Sequence, residues 1–479
     1  MLRVARPPVE VLSATDIARL DAAWRTIISE IGVQFEHAGA LALLQEAGQR
    51  VEGETVFFDA DWVAGLVAQA PSSFTWHARN AERSLALGAG VTAFAPAYGA
   101  PFVTKGGERG NGSLEDLRNL VALIQDADEL DIAGGVVTEA QDVPVEHRHL
   151  QLVRTLAVES DKPFMAAVSS RDATLDSVRI ADIALGGLDG RCAMTAILNS
   201  VSPLRWDERM TDAMMLLAEH GQAGIVMPGA MLGAMAPVTI AGGTAEMLAE
   251  AFAAIALIQT VRPGAPVLLG SGLPITDMQS GAAGFSGPEL ALGVVLGCQL
   301  ARHYGLPTRA LGGSLTTSQL TDAQAGWEGM QILKASLDGH ADVVMHAAGW
   351  LDAGLVTGYE KLIADCDMIA SLCVEYGPIE VDDATLAIDA IREVGHGGHF
   401  FGVDHTMERY RTCFHRPVVA SKQNIERWRA AGSLSAEQRA EAIWRERLAA
   451  HEPPPIDPAV ERAIDDYVEA RTRELLTTG

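Results

Sequence analysis

Glycines and hydroxyl side chains able to bind a ligand are concentrated in one segment, Gly305 to Gly329. In order, the segment contains the strand-like run Thr308–Leu311, the pair Gly312 and Gly313, the hydroxyl residues Ser314, Thr316 and Thr317, and a helix from about Asp322. In parallel α/β proteins such junctions bind ligands, because strand ends converge there and helix N-termini offer free amides. We therefore expect this loop to line a binding site.

Four histidines raise the question of a metal site. His396, His399 and His405 lie close together in the glycine-rich stretch GHGGHFFGVDHT, and His346 ends a predicted strand. Their spacing matches no standard zinc pattern, and the five cysteines are elsewhere in the chain. We therefore expect no bound metal, and we place His346 in a ligand pocket because of its position.

Eight short apolar runs determine the predicted architecture. They are Val91–Ala95, Ile132–Val137, Phe164–Val168, Ala193–Leu198, Gly224–Met227, Val267–Leu269, Thr308–Leu311 and Val343–Met345. Most are separated by a stretch long enough for one or two helices, a pattern typical of parallel β/α units whose strands are buried on both faces. Eight such units predict an α/β fold of the closed (β/α)8 TIM-barrel type. The same runs also allow an open doubly wound sheet.

The chain divides into three predicted regions. Residues 1–90 form an N-terminal α/β capping region, residues 91–390 the barrel, and residues 391–479 a Gly/His-rich loop followed by a C-terminal helical arm. Ser13 and Asp16 have the spacing of a capping box at the start of the first helix. We expect the arm to pack on the barrel or on a second subunit, and therefore expect a homo-oligomer.

The net charge and the lack of long apolar runs argue against nucleic-acid and membrane partners. A net charge of −26 argues against nucleic acid, which binds to a basic surface. No run of eighteen apolar residues free of charge occurs, and the N-terminus lacks the apolar segment of a signal peptide, so we expect no membrane span and a cytoplasmic protein. The five cysteines include no CxxC pair, which fits reduced thiols.

Several motifs together resemble one family, the trimethylamine:corrinoid methyltransferases. The motifs are SPLRWDE from Ser202, APVTIAGGTAEMLAE from Ala236, TDMQSGAAGFSGPELAL from Thr276, GLPTRALGG from Gly305, TDAQAGWE from Thr321 and HTMERYR from His405. They span most of the chain in the family's order. The resemblance implies a (β/α)8 barrel that moves a methyl group from an amine to the Co(I) corrinoid (cobalamin) of a separate partner protein, with no corrinoid tightly bound to this chain.

A pyrrolysine distinguishes the trimethylamine branch of this family and follows the strand that ends near Leu311. Here Ser314 or Leu315 fills that place, so the chain resembles the non-pyrrolysine branch, whose activities demethylate quaternary amines such as glycine betaine. When a quaternary ammonium gives up a methyl group, its leaving group is a neutral tertiary amine, so it needs no prior protonation as a tertiary amine does. The remaining task is to orient the N-methyl group toward cobalt, so we expect no essential general acid and assign no catalytic side chain.

The resemblance implies a pocket for a methylated ammonium and, in a betaine, for a carboxylate. Aromatic faces attract quaternary ammonium ions, and the candidates are Tyr98, Trp350 and Phe400, although packing alone also explains each ring. The further candidates for substrate contact are Glu139, Asp142, Ser314, Leu315, Gln324 and His346. Candidates for holding an anionic group of substrate or cofactor through backbone amides are Gly312, Gly313 and Gly397.

The sequence is also compatible with two other kinds of protein, a non-catalytic betaine-binding barrel protein and a TIM-barrel lyase. A Schiff-base lyase needs a lysine at a strand end, whereas Lys105, Lys162 and Lys334 lie elsewhere in the prediction. No arginine lies clearly at a strand end, because Arg309 falls inside a predicted strand. The carboxylate contact of a betaine is therefore unassigned, and Asp142 is equally compatible with capping the turn at Pro144.

Overall fold

Strands and helices alternate through most of the chain in a computed structural model that describes residues 1–478. The strands are β1 Val33–Phe35, β2 Arg50–Glu52, β3 Thr55–Phe57, β4 Phe74–Trp76, β5 Leu85–Leu87, β6 Ala93–Pro96, β7 Phe102–Lys105, β8 Glu108–Asn111, β9 Phe164–Met165, β10 Met194–Leu198, β11 Arg205–Trp206, β12 Ala223–Val226, β13 Val267–Ser271, β14 Ile275–Thr276, β15 Ala283–Gly284, β16 Thr308–Ala310, β17 Val343–Ala348, β18 Trp350–Leu351 and β19 Val356–Gly358.

The α-helices are α1 Ala14–Thr26, α2 Ala38–Glu46, α3 Ala60–Val67, α4 Leu114–Asp126, α5 Arg148–Glu159, α6 Arg171–Ala184, α7 Glu208–Glu219, α8 Ile240–Val261, α9 Pro288–His303, α10 Ala323–Asp338, α11 Tyr359–Tyr376, α12 Asp383–Leu386, α13 Ile388–Val394, α14 Asp404–Arg409, α15 Ile425–Ala430, α16 Ala436–Ala450 and α17 Pro458–Thr478. A π-helical turn, Ile27–Ile31, and two 3-10 turns, Ala81–Arg83 and Asp352–Gly354, complete the elements.

Seven parallel strands form the central sheet, in the order β6, β17, β16, β13, β12, β10, β9. Residues 131–137 occupy the eighth position between the two edges. Gly134 pairs in parallel with Phe164 of β9, and the backbone N–H of Asp131 donates to the carbonyl of Phe94 in β6 at 2.9 Å. All eight predicted runs therefore lie in one closed barrel, and the (β/α)8 prediction is confirmed.

The barrel strands are apolar along their length because they are buried on both faces. β10, β12 and β13 are buried along their whole length, because one face packs on the outer helices and the other faces the barrel interior. Such strands contain apolar residues in succession instead of alternating with polar ones. β16 departs from this pattern, since its central residue is a fully buried arginine, Arg309.

The N-terminal region packs against the long helix α8. The Ser13–Asp16 capping box predicted for α1 is present, and α1 and α3 both contact α8. Among residues 1–478, α8 is the one helix that is long and apolar enough to span a membrane, and 78% of its most apolar window is buried inside the protein. Its length and apolarity therefore match its place between the cap and the barrel.

The last β/α unit ends with α11 at Tyr376. Residues 377–434 follow with four short helices, and α16 then packs along α11 while α17 packs on α5 and α6. The predicted C-terminal helices are therefore present. The region boundaries at residues 90 and 390 stay a prediction.

Candidate active site

A cavity of about 320 Å³ opens at the carboxyl end of the barrel strands. Its walls come from the residues that follow β6, the 131–137 strand, β9 and β10. The side chains that offer polar atoms or a ring are Tyr98, Thr138, Glu139, Arg148, His149, Ser169, Asn199 and Arg209. In this fold the loops at that end bind ligands, and none of residues 305–329, where the sequence predicts the binding loop, lines this cavity.

Arg309 in β16 is a buried cation at the barrel interior, with 2% of its surface exposed. Its Nη2 lies 2.9 Å from Nε2 of His346, while its Nε and Nη1 atoms are buried without a hydrogen-bond partner among residues 1–478. Burial lowers the pKa of Arg309 to about 9. The guanidinium is therefore still charged at neutral pH and offers unused donors to an anion.

His346 supports Arg309 from the neighbouring strand β17. Its backbone has φ +59, at the point where the pairing of β17 with β6 is irregular. Burial and then the charge of Arg309 hold the pKa of His346 well below its ordinary value, so the ring is neutral. A neutral ring that accepts from Arg309 at Nε2 has its proton on Nδ1, and that atom also lacks a partner in the described chain.

Trp350 completes the polar and aromatic group. Its ring centroid lies 4.2 Å from that of His346 and 5.9 Å from that of Phe285. The indole Nε1 is buried without an acceptor in residues 1–478. Arg309, His346 and Trp350 thus offer several buried N–H donors, and we call these three residues the donor cluster.

Tyr98 lies in the cavity wall, within electrostatic range of Arg309. Its ring lines the cavity and packs against Gly135, where a Cβ atom would lie 2.6 Å from the ring. Burial, followed by the charge of Glu139, raises the pKa of Tyr98 to about 12, and the positive charges of Arg209 and Arg309 partly oppose that shift. The phenol therefore stays protonated between a carboxylate and a guanidinium.

The loop after β16, expected to bind ligand through its side chains, is instead held by the protein. The Ser314 hydroxyl donates to Asp365 at 2.7 Å and lies 2.6 Å from Nζ of Lys361. Asp365 also accepts from the backbone of Gly349. A Cβ on Gly313 would lie 2.1 Å from the His346 carbonyl, so this glycine permits close packing of the two strand ends.

The threonines of that loop are also satisfied internally. The Thr316 hydroxyl donates to Glu328 at 2.6 Å, and the Thr317 backbone N–H donates to the same carboxylate at 2.9 Å. Gln324 donates to Glu328 at 3.0 Å. Leu315 is completely buried among apolar residues. The segment therefore shapes and closes the barrel end, and its hydroxyl and amide side chains are occupied within the protein.

The other predicted residues have separate locations. Glu139 lines the cavity and lies 3.4 Å from Arg148. Asp142 accepts from the backbone of Leu114 at the start of α4. A Cβ on Gly312 would collide with Ser336, which gives this glycine a packing role. Phe400 and Gly397 are in residues 377–434 and do not line the cavity; Phe400 is 45% exposed.

The lysines of a possible Schiff base are occupied elsewhere. Burial lowers the pKa of Lys162 to about 8, but its ammonium donates to the carbonyls of Ile124 and Ala127. Lys105 pairs with Asp116, and Lys334 pairs with Glu375. No lysine lines the cavity. Among residues 1–478, no group of three or more His, Cys, Asp or Glu side chains could hold a metal ion.

Arg309 was not among the predicted site residues, because it lies within a strand and not at a strand end. A barrel strand points alternate side chains to the interior, so a residue within a strand also reaches the lumen. The available signal was a charged residue in the middle of a strand predicted to be buried on both faces. Such a residue is expensive to bury unless it is paired or binds something.

The sequence matches one family of known proteins over nearly its whole length. Residues 1–476 match the family described as trimethylamine methyltransferase (MTTB). A glycine betaine methyltransferase of Desulfitobacterium hafniense is 36% identical over 474 residues, which cover 98% of this chain and 98% of that protein. A proline betaine:corrinoid methyltransferase of Eubacterium limosum is 27% identical over 417 residues, which cover 84% of each protein.

Solved structures show the same architecture. The monomethylamine methyltransferase MtmB of Methanosarcina barkeri has a TM-score of 0.50 at 9% identity, covering 91% of this chain and 86% of that chain. The hydroxylamine complex of MtmB has a TM-score of 0.54 at 10% identity, covering 92% and 88%. At such identity the likeness concerns the fold alone. The family match covers nearly the whole sequence, so the chain belongs to the trimethylamine methyltransferase family, as its motifs indicate.

Proposed function

We propose that this protein transfers a methyl group from a small betaine, with glycine betaine as the first candidate, to the Co(I) corrinoid of a separate carrier protein. The relatives named for glycine betaine and proline betaine support this substrate class. The donor cluster is the observation that carries the proposal. It offers a buried positive charge and unpartnered N–H groups, which suit an anion that simple methylamines lack.

The carboxylate end of a betaine would occupy the donor cluster. An ionised carboxylate is an acceptor with about four lone-pair positions, and the buried donors of Arg309, His346 and Trp350 can supply its hydrogen bonds. Arg309 is charged, and His346 is neutral with its proton on Nδ1. The anion would therefore remove the cost of a buried guanidinium that has a single neutral partner.

The trimethylammonium end would lie against aromatic faces. Trp350 belongs to the donor cluster and Tyr98 lines the cavity, and aromatic rings attract a quaternary ammonium through their quadrupole. Glu139 adds a negative charge on the cavity wall. Glycine betaine is a compact ligand, and a cavity of about 320 Å³ is at the small end of the range of about 300–1,000 Å³ for ligand pockets.

The main task of the protein in this reaction is to orient the substrate relative to the cobalt. The N–CH3 bond breaks with its electron pair retained by nitrogen, so dimethylglycine leaves as a neutral amine, and the electron pair of Co(I) forms the new bond to carbon. No proton moves in this step. The protein must align one N-methyl group with the acceptor and keep water away, which is a proximity effect.

The carrier protein would dock on the barrel rim formed by the later strands. Several large apolar side chains are exposed there, each in the loop or early helix that follows β12, β13, β16 or β17. They are Val238, Met278, Leu320, Trp327 and Leu355. Exposed apolar groups at one end of a protein mark an interaction surface. The cavity lies beside the earlier strands, and the docked carrier would have to bring its cobalt within reach of the N-methyl group.

We infer a homo-oligomer, as expected from the C-terminal region, and a cytoplasmic location. The five cysteines are all free thiols in the structure, which suits a reducing compartment.

An amine panel with free cob(I)alamin tests the reaction directly. Glycine betaine, proline betaine, carnitine, choline and trimethylamine would each be mixed with the protein and cob(I)alamin. We expect the Co(I) spectrum to convert to that of methyl-Co(III) with a betaine, and to change little with trimethylamine. Binding of a betaine without any conversion, also with carrier protein present, would instead support a binding protein.

A further inference from the structure

A buried ion pair on α11 has no part in the proposed reaction as described so far. Nζ of Lys361 lies 2.5 and 2.7 Å from the two carboxylate oxygens of Asp365, and the two side chains are 2% and 3% exposed. Charges are expensive to bury, and apolar residues of the same size often give a more stable protein than a buried ion pair does. Stability alone therefore does not account for this pair.

The position of the pair in its helix makes it less favourable still. Lys361 lies in the first turn of α11, where the helix dipole disfavours a positive charge. A lysine four residues before an acidic residue is also the weaker order for a pair on one helix. Burial raises the pKa of Asp365, although the charge of Lys361 opposes the rise, so ionising this carboxylate disfavours the folded state.

The pair contacts the loops that follow two neighbouring barrel strands. Oδ1 of Asp365 accepts from the Ser314 hydroxyl at 2.7 Å, and Nζ of Lys361 lies 2.6 Å from the same hydroxyl oxygen. Oδ2 of Asp365 accepts from the backbone N–H of Gly349 at 2.9 Å. Ser314 lies in the loop after β16, and Gly349 directly follows β17. The pair thus holds the ends of the two strands that contain the arginine and the histidine of the donor cluster.

The backbone between these contacts needs such support. The N–H of Ser314 donates to the carbonyl of His346 at 2.8 Å, and His346 has φ +59. A positive φ costs energy for a residue with a side chain and persists only where the surroundings enforce it. Gly349, which immediately precedes Trp350, is fixed at its N–H by Asp365. The directions of the histidine and tryptophan rings therefore depend on contacts that end at the ion pair.

We propose that Lys361 and Asp365, which we call the ion-pair clamp, are positioning residues of the amine site. They hold the ends of β16 and β17 so that the donors of Arg309, His346 and Trp350 face one ligand. The oxygens of Asp365 carry the contacts to the two loops, and Lys361 neutralises the carboxylate. The assignment rests on the proposed function, in which that ligand is the carboxylate of a betaine.

Two double variants separate the hydrogen bonds of the clamp from its charges. Lys361→Met/Asp365→Asn removes both charges but keeps a side-chain oxygen for Gly349 and an amide for Ser314. Lys361→Met/Asp365→Leu removes the charges and those polar groups. With glycine betaine and free cob(I)alamin, we expect a KM within about threefold of wild type for the Asn variant. The Leu variant should have a KM at least about tenfold higher with nearly unchanged kcat, since binding is lost and the chemistry is not.

Fluorescence of Trp350 tests the clamp without any amine. Subtracting the spectrum of the matching Trp350→Phe protein isolates this indole among the eight tryptophans. Acrylamide should quench it more strongly in the Leu variant than in the wild type or the Asn variant. This pattern, together with equal use of glycine betaine and its methyl ester by the wild type, would contradict the proposed function and still support the positioning role.

A matched control is Lys334→Met/Glu375→Gln, which removes an ion pair between α10 and α11 that is partly exposed. It should leave KM, kcat and the quenching at wild-type values. Circular dichroism melting shows which variants fold. If the Leu variant does not fold, Ser314→Ala replaces it, because this change keeps the ion pair and removes one loop contact; its KM should rise about threefold or more.

Three results would overturn the proposal. The first is equal KM values and equal quenching in the Asn and Leu variants. The second is a fall of kcat and melting temperature together without a change in KM, which indicates a structural role only. The third, where Ser314→Ala is the variant measured, is a wild-type KM with wild-type quenching.

Discussion

Arg309 would distinguish a betaine from an amine that has no carboxylate. We predict that Arg309→Met raises the KM for glycine betaine, because the carboxylate loses its buried cation. Loss of one partner of a buried charged hydrogen bond costs about 2–4 kcal/mol, or roughly 30- to 1,000-fold in affinity. Steady-state methylation of cob(I)alamin measures the effect. Arg302→Met, at a partly buried arginine on α9 outside the barrel interior, should keep the wild-type KM.

Trp350 would bind the ammonium end, and its ring should be replaceable only by another ring. Loss of a cation–π contact costs about 0.5–2 kcal/mol, so Trp350→Leu should raise the Kd by at least roughly 2- to 30-fold, whereas Trp350→Phe, which keeps a ring and loses only the indole N–H, should raise it less. Isothermal titration calorimetry with glycine betaine measures both. Equal affinity for the Leu and Phe variants would show that the aromatic face contributes nothing.

Part of this residue-level account could be predicted from the sequence. Position at strand ends selected Tyr98, His346 and Trp350, which the structure brings to the same end of the barrel. The same rule could not find Arg309, because its relation to the lumen depends on which way β16 faces. The same rule also selected Ser314 for ligand contact. Its hydroxyl is instead held by Asp365, and this partner could not be foreseen because it is 51 residues away in the chain.

At the scale of elements, α8 contains a carboxylate pair that should make stability depend on pH. Burial and then the neighbouring charge of Glu250 raise the pKa of Glu246 from 4.5 to about 7, and Oε1 of Glu246 is buried without a partner in the described chain. The folded state therefore keeps a proton that the unfolded state releases. This contribution to stability is complete below pH 4.5 and is lost as the pH rises through about 7.

Glu246→Gln removes that titration. We predict that the variant is more stable than the wild type at pH 8, by up to about 3 kcal/mol for a rise of the pKa from 4.5 to about 7, and nearly equal to it at pH 5. Urea unfolding followed by circular dichroism at the two pH values measures the difference. Glu289→Gln, at an exposed position on α9, serves as the control and should show no such pH dependence. A constant difference across the range would contradict the assigned cause.

The elements themselves were predicted more completely than their connections. All eight barrel strands follow from apolar runs, because strands buried on both faces have a strong composition signal. The hairpins β7–β8 and β14–β15 were not predicted, since short, partly exposed strands such as these have no such signal. The hydrogen bonds of Thr316 and Thr317 to Glu328 could also not be predicted from the sequence, because they depend on how the loop folds back on α10.

At the scale of the whole molecule, the carrier would dock on the rim formed by the later strands, with its cobalt facing the N-methyl group of the bound amine. Trp327 is 63% exposed on α10 at that rim, and tryptophan is frequent among residues that dominate interfaces. We predict that Trp327→Ala raises the KM for the carrier protein by about tenfold or more, a cost above 1 kcal/mol. Turnover with free cob(I)alamin should be unchanged.

Val374→Ala controls for this variant, because Val374 is 63% exposed near the C-terminal end of α11, at the opposite end of the barrel. It should leave both reactions unaltered. If Trp327→Ala slows free cob(I)alamin and carrier protein equally, the residue acts on the pocket and the rim is not a docking surface.

The most direct test compares glycine betaine with its methyl ester as methyl donors to free cob(I)alamin. Both have the same trimethylammonium group, and only glycine betaine has the anion that the donor cluster is proposed to bind. We predict that kcat/KM is at least about 30-fold higher for glycine betaine, a difference of about 2 kcal/mol. Equal values for the two donors, or conversion with trimethylamine alone, would contradict the assignment of a betaine to this site.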